Sequence, residues 1–253
     1  MTWTTRPRSD LSGLACIRAG DGPQVVLLHG VGLRSEAWNA QIDALSATHS
    51  VIAIDMPGHG ETPFTDFTIE TQAAQILRAI DGPFTAIGHS MGAMIAVELA
   101  RQAPTRIKAV AALNAIFERT PEAHQAVQSR AASLDGPSNP APTLDRWFGY
   151  TPSPERTACE TWLRDVDPAA YKHAYTLFAA SNGPSRNTLR TLFCPALFLT
   201  GGDEPNSTPK MSHTMAALAP KGRAEIIRNA AHMMPMTHAT YTTNALKPLL
   251  ERT

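Results

Sequence analysis

Apolar positions in this chain come in short continuous blocks rather than in strict alternation. Val25-Val26-Leu27-Leu28, Val51-Ile52-Ala53-Ile54, Phe84-Thr85-Ala86-Ile87, Ile107 to Leu113 and Pro195-Ala196-Leu197-Phe198-Leu199-Thr200 are such blocks. Each reads as a strand, and the continuous run Val25–Leu28 suits one buried on both faces. Between them the spacing turns helical. Trp38, Ile42 and Leu45 share one face of a segment from about Glu36 to Ser46, and Thr68 to Ile80 and Met91 to Gln102 follow. Leu14-Ala15-Cys16-Ile17 predicts an opening strand, with Gly20-Asp21-Gly22-Pro23 as the turn that ends its hairpin. A helix over Met211–Leu218, a last strand Ala224-Glu225-Ile226-Ile227 and a helix from about Tyr241 to Glu251 close the chain. Pro248 is expected to kink or shorten that last helix. Strands alternating with helices at these spacings predict an α/β fold, a mostly parallel sheet flanked by helices.

The pattern breaks after Asn114. From there to about Arg190 the chain shows helical stretches and no convincing strand. They include Glu122–Leu134, a proline-rich loop over Gly136-Pro137-Ser138-Asn139-Pro140-Ala141-Pro142, and aromatic segments holding Trp147, Trp162 and Tyr171 to Phe178. The expected organisation is a core of residues 1–114 and 191–253 with a helical cap, 115–190, inserted between them. Most of the aromatics should hold the small helices together. Trp147 and Trp162 are the candidates for facing a substrate pocket, where aromatic walls are usual.

Composition narrows the function. Lys+Arg and Asp+Glu are equal at 22 each in 253 residues, so no basic surface for nucleic acid is implied. No apolar stretch approaches a membrane span, and Met1 to Asp10 lack the apolar run of a signal peptide. Cys16, Cys159 and Cys194 are odd in number and far apart, fitting reduced thiols better than disulfides or a metal site. A cytoplasmic protein without a metal or organic cofactor is expected.

The candidate chemistry centres on Ile87-Gly88-His89-Ser90-Met91-Gly92, which joins an apolar strand directly to a helix. A serine at the apex of such a turn, flanked by glycines two residues away, is the arrangement of a nucleophile elbow. A lone hydroxyl is a poor nucleophile and needs a base, itself oriented by a carboxylate. Of the nine histidines, His232 lies in a loop after the last strand, where the chain returns to the carboxyl edge of the sheet. His238 ranks second, because it starts the last helix. His29 and His59 sit in glycine turns and are expected to bond backbone, and His89 is expected to point away from Ser90. For the acid, Gly201-Gly202-Asp203-Glu204 follows a strand at the same edge. Spacing from Gly201 favours Glu204, with Asp203 as the alternative. The amides of Met91, at the helix start, and Val31, in His29-Gly30-Val31-Gly32, are the candidates for binding an oxyanion.

These motifs resemble the α/β-hydrolase superfamily over essentially the whole chain. The matching stretches are Leu28-His29-Gly30-Val31-Gly32, Asp55-Met56-Pro57-Gly58-His59-Gly60, Gly88-His89-Ser90-Met91-Gly92, and the late acid followed by Ala231-His232. Within the superfamily the chain is similar to small carboxylesterases such as pimeloyl-carrier-protein methyl esterases, and to 3-oxoadipate enol-lactonases and meta-cleavage-product hydrolases. The first group carries Asp where this chain has Glu204 preceded by Asp203. The resemblance implies a serine hydrolase of a small carboxylic ester or lactone. Two alternatives are hydrolysis of a carbon–carbon bond in a diketone with the same residues, and a ligand-binding receptor without turnover. It implies neither the acyl group nor the oligomeric state.

Overall fold

Val25, Val26, Leu27 and Leu28 are fully buried, and a strand with no polar edge must be covered on both faces. That strand, β3 (Gln24–Leu28), runs through the middle of an eight-stranded sheet. The computed structural model describes residues 3–134 and 139–251. Before β3 come β1 (Ser9–Leu11) and β2 (Leu14–Ala19); after it come β4 (Ser50–Ile54), β5 (Phe84–His89), β6 (Ile107–Leu113), β7 (Ala196–Gly201) and β8 (Gly222–Ile227). The strand order is β1-β2-β4-β3-β5-β6-β7-β8. Pairing is antiparallel for β1 with β2 and β2 with β4, and parallel from β4 onwards.

Alternate residues of each strand feed two cores. Val26, Leu28, Ile52, Ile54 and Ala86 face one side, which is covered by α2 (Ile69–Ala79) and α3 (Met91–Gln102). Val25, Leu27, Val51, Ala53 and Ile87 face the other, covered by α1 (Asn39–Leu45) and by the closing helix Ala239–Leu250. Thr68 caps α2 by accepting the Thr71 amide at 3.2 Å, with Thr71 bonding back at 2.8 Å, a reciprocal cap that fixes where the helix starts.

Between β6 and β7 the described residues form five helices: α4 (Pro121–Ala132), α5 (Ala141–Phe148), α6 (Pro154–Asp165), α7 (Pro168–Ala180) and α8 (Arg186–Arg190). After β7 follow α9 (Pro209–Leu218), the short α10 (Met234–Thr237) and α11 (Ala239–Leu250). The insertion sits against the loops that leave the sheet. A side chain at Gly58, where φ is 73°, would overlap the Ala170 side chain of α7. Only glycine lets α7 seat that closely over the sheet's carboxyl edge. No helix among the described residues is long and apolar enough to cross a membrane.

Four expectations need correction. The opening hairpin is β1–β2, turning at Ser12-Gly13, and β2 pairs with β4, so Gly20–Pro23 leads to a strand two places away. β1 has one buried residue, Leu11, and leaves no apolar run to read. The segment from Glu36 is a 3-10 turn, Ser35–Trp38, before α1 begins. Pro248 lies in the last turn of α11, and the helix continues past it to Leu250 rather than stopping there, although proline supplies no amide to bond back one turn. Of the proline-rich stretch, Gly136-Pro137-Ser138 lie outside the described residues. Pro140 and Pro142 open α5, where a missing amide hydrogen costs nothing.

Candidate active site

The direct passage from β5 into α3 leaves Ser90 at φ 57°, ψ −117°, a region that residues with a Cβ seldom occupy. Its neighbours explain how that is tolerated. A Cβ at Gly88 would overlap the Gly92 carbonyl, and one at Gly92 would overlap the Leu28 carbonyl at the end of β3. Two glycines therefore let β3, β5 and α3 converge beneath the serine. The Ser90 amide donates to the Leu113 carbonyl at 2.8 Å, which pins the turn to β6.

Gly30 abuts the serine, because a Cβ built on it would stand 3.0 Å from Ser90 Cβ. The loop after β3 thus runs past the nucleophile candidate, and Val31 and Ser90 line one cavity. Among the described residues the amides of Val31 and Met91 have no hydrogen-bond acceptor. The Met91 amide belongs to the first turn of α3, whose positive end favours negative charge.

His232 stands in the loop after β8. Its Nδ1 lies 2.8 Å from Glu204 Oε2, while Glu204 Oε1 accepts the amides of Asn206 at 2.8 Å and Ser207 at 3.3 Å. The Glu204 side chain is fully buried. Burial opposes its ionisation, but His232 and the two amides outweigh burial and hold the carboxyl below its ordinary value. A carboxylate accepting at Nδ1 leaves Nε2 of the neutral ring as the free base nitrogen. The neighbouring Asp203 is exposed and offers only its amide, to the Ala230 carbonyl at 2.9 Å. The loops after β7 and β8 pack so closely that a Cβ on Gly201 would overlap the Ala230 carbonyl. That contact brings Glu204 under the imidazole.

Two supporting residues escape a reading by motif. His89 Nε2 lies 2.8 Å from the His232 carbonyl, and the Asn114 side-chain amide donates to the same carbonyl at 2.7 Å. Burial, reinforced by the nearby His232, lowers the His89 pKa to about 3, so the ring is neutral and Nε2–H is the donor. The His89 and His232 ring centroids are 4.9 Å apart. Asn114 has φ 48°, a conformation that asparagine tolerates better than most residues; nothing else in the sequence marks it. His29 and His59 bond backbone, through Gly30 O at 2.7 Å and Pro57 O at 3.0 Å. His238 Nδ1 contacts Thr237 Oγ1 at 3.0 Å, beside the start of α11.

Trp147, on α5, stacks on His232 with centroids 5.7 Å apart and planes 21° from parallel. It lines the cavity of about 660 Å³ that also contains Ser90 and His232. Trp162 is not part of that wall. It is buried in α6 with its ring edge-on to Trp3 at 6.2 Å, because α6 turns this face toward the N-terminal segment. The cavity is walled by β-sheet loops on one side and by α4, α5 and α7 of the insertion on the other. Its size suits a small ligand.

Comparison with known proteins agrees with this fold. The model of the alpha/beta hydrolase family matches residues 25–244. The (E)-2-((N-methylformamido)methylene)succinate hydrolase of Acinetobacter baylyi is 37% identical, over 92% of each chain. A pimeloyl-[acyl-carrier protein] methyl ester esterase of Neisseria meningitidis is 28% identical, over 85% of this chain and 89% of the other. The thermophilic esterase of Thermogutta terrifontis superposes with a TM-score of 0.85 at 25% identity, covering 98% of this chain and 99% of that one.

Proposed function

The chain belongs to the α/β hydrolase family, and from that premise we propose that it is a serine hydrolase of a small carboxylic ester or lactone. Ser90 attacks the acyl carbonyl as His232 Nε2 takes the hydroxyl proton. Glu204 holds the imidazole in the required tautomer and stabilises the imidazolium that forms. The amides of Val31 and Met91 receive the negative charge on the carbonyl oxygen. His232 then returns its proton to the departing alkoxide, leaving an acyl-enzyme on Ser90. Water, deprotonated by His232 in turn, attacks that ester and frees the acid and the serine. The five inserted helices act as a cap over this centre. The observation that carries the reading is the 2.8 Å contact between His232 Nδ1 and the buried Glu204 carboxylate, in a cavity shared with a strained Ser90.

A second reading has a specific support. The 37% identical relative is named for a substrate with an N-formyl group on a methylenesuccinate, and the same residues would cleave an acyl–nitrogen bond. Steady-state assays on p-nitrophenyl acetate and butyrate, beside an N-acyl enamine of the same acyl length, separate the two. The ester reading expects faster turnover of the esters, abolished in Ser90→Ala. Turnover that survives Ser90→Ala refutes both.

A further inference from the structure

The cavity wall is unevenly charged. Among the described residues Arg119, Arg130, Arg146, Arg186 and Lys210 line it, with Glu118 as the acid. Both oxygens of Glu118 are occupied by Arg186, at 2.6 and 2.7 Å. Arg119 is held by the Ser181 carbonyl at 2.6 Å and lies over the Phe178 ring at 4.6 Å. Arg130 and Arg146, like Arg119 and unlike Arg186, meet only neutral partners among the described residues. Arg130 donates to the Tyr175 hydroxyl at 3.1 Å and Arg146 to the Thr143 hydroxyl at 2.9 Å, both neutral partners. Asp145, beside Arg146 in sequence, is engaged by Arg156 at 2.7 Å. Neither Arg130 nor Arg146 meets a carboxylate among the described residues.

A guanidinium carries five N–H donors in a planar fork, and each of these two spends one on a hydroxyl. None of the remaining donors is sealed from solvent without a partner. Burial, and then the charge of Arg130, work against the charge on Arg146 and lower its pKa. Both guanidinium groups line the same cavity and repel one another, so an anion held between them is favoured by both charges. Their position ties them to the chemistry. Arg146 precedes Trp147, the ring stacked on His232, and Arg130 comes from α4 on the same wall.

We propose that Arg130 and Arg146 form a carboxylate-binding subsite, so that the substrate carries an anionic carboxylate in addition to its scissile carbonyl. This rests on the hydrolase reading for the scissile group, but not for binding itself. The planar forks suit a carboxylate geometrically, and the neighbouring Tyr171 and Tyr175 add an amphipathic floor.

The test begins with binding, on the intact protein. Calorimetric titration with succinate at low salt should give saturable binding, with the neutral diamide succinamide at least tenfold weaker. Arg130→Gln and Arg146→Gln should each weaken succinate by about tenfold to a hundredfold, the range for losing charge-assisted hydrogen bonds. Arg146→Lys should recover part of the loss. Equal affinity for succinamide, or succinate affinity unchanged in folded Gln variants, overturns the proposal. If those variants do not fold, kinetics of the unaltered protein decide. Monomethyl succinate should exceed its neutral isostere, methyl 4-methylpentanoate, in kcat/KM by at least tenfold, and the ratio should shrink in high salt. An equal or reversed preference overturns the proposal. Succinate binding without hydrolysis of either ester would count against the ester reading and leave the subsite standing.

Discussion

Asp203 and Glu204 are adjacent, equally charged and similar in chemistry, yet the structure separates them completely. Glu204 is buried with both oxygens bonded, and Asp203 points to solvent. On the proposed mechanism, Glu204→Gln should therefore lower kcat by on the order of 10³ to 10⁴ with the fold retained, by analogy with loss of the triad acid in serine hydrolases. Asp203→Asn should change kcat little, because an exposed carboxylate acts only through screened electrostatics. Steady-state kinetics of the two variants check this, and a larger loss in Asp203→Asn would assign the acid role to that residue. The preference for Glu204 was legible from spacing after Gly201. The roles of His89 and Asn114 were not. Both act by holding the His232 carbonyl across more than a hundred residues of sequence separation. A carbonyl has no side-chain identity to betray it in a sequence, so no local pattern announces its partners.

At the scale of elements, the buried parallel strands were readable because an apolar block buried on both faces needs no knowledge of its neighbours. β1 was not readable, since one buried leucine makes no pattern. The insertion was readable as helical, but which face of each helix meets the cavity depends on how the five helices dock. Trp147 and Trp162 show the consequence: one stacks on His232 and the other packs on Trp3. Trp147→Ala should alter preference among acyl chain lengths, since each added methylene accommodated is worth about 0.8 kcal/mol. Trp162→Ala should leave that preference unchanged and lower stability by about 3–5 kcal/mol, the usual range for emptying a buried aromatic site. Hydrolysis rates across an ester series, with urea unfolding of both variants, check the pair. A shifted preference in Trp162→Ala alone would reverse their assignments.

For the whole molecule, buried titratable groups set how stability responds to acid. Burial holds the pKa of His59 and of His89 at about 3, with smaller contributions from His29 and His232 respectively. In the unfolded chain both should titrate near 6.5. Between these values the unfolded state binds more protons, so stability is fully present above about pH 6.5 and is lost as pH falls toward 3. Each histidine contributes about 1.4 kcal/mol per pH unit within that window. Asp55, Glu36 and Glu204 add to the loss at lower pH, for although burial opposes their ionisation, Arg8 beside the first two and His232 beside the third hold their pKa values down. Unfolding free energy should fall by about 2–3 kcal/mol between pH 6.5 and 5.5. Urea titrations at the two pH values measure it, and equal stability would show that these rings accept protons in the folded state.

The central claim is that Ser90 is an activated nucleophile, and covalent labelling addresses it most directly. Incubation with a fluorophosphonate, followed by peptide mass spectrometry, should place one phosphonyl adduct on Ser90. Labelling should vanish in Ser90→Ala and slow by several powers of ten in His232→Ala, because the attacking hydroxyl depends on the imidazole to take its proton. An adduct on another residue, or no adduct in protein that still hydrolyses esters, would contradict the account.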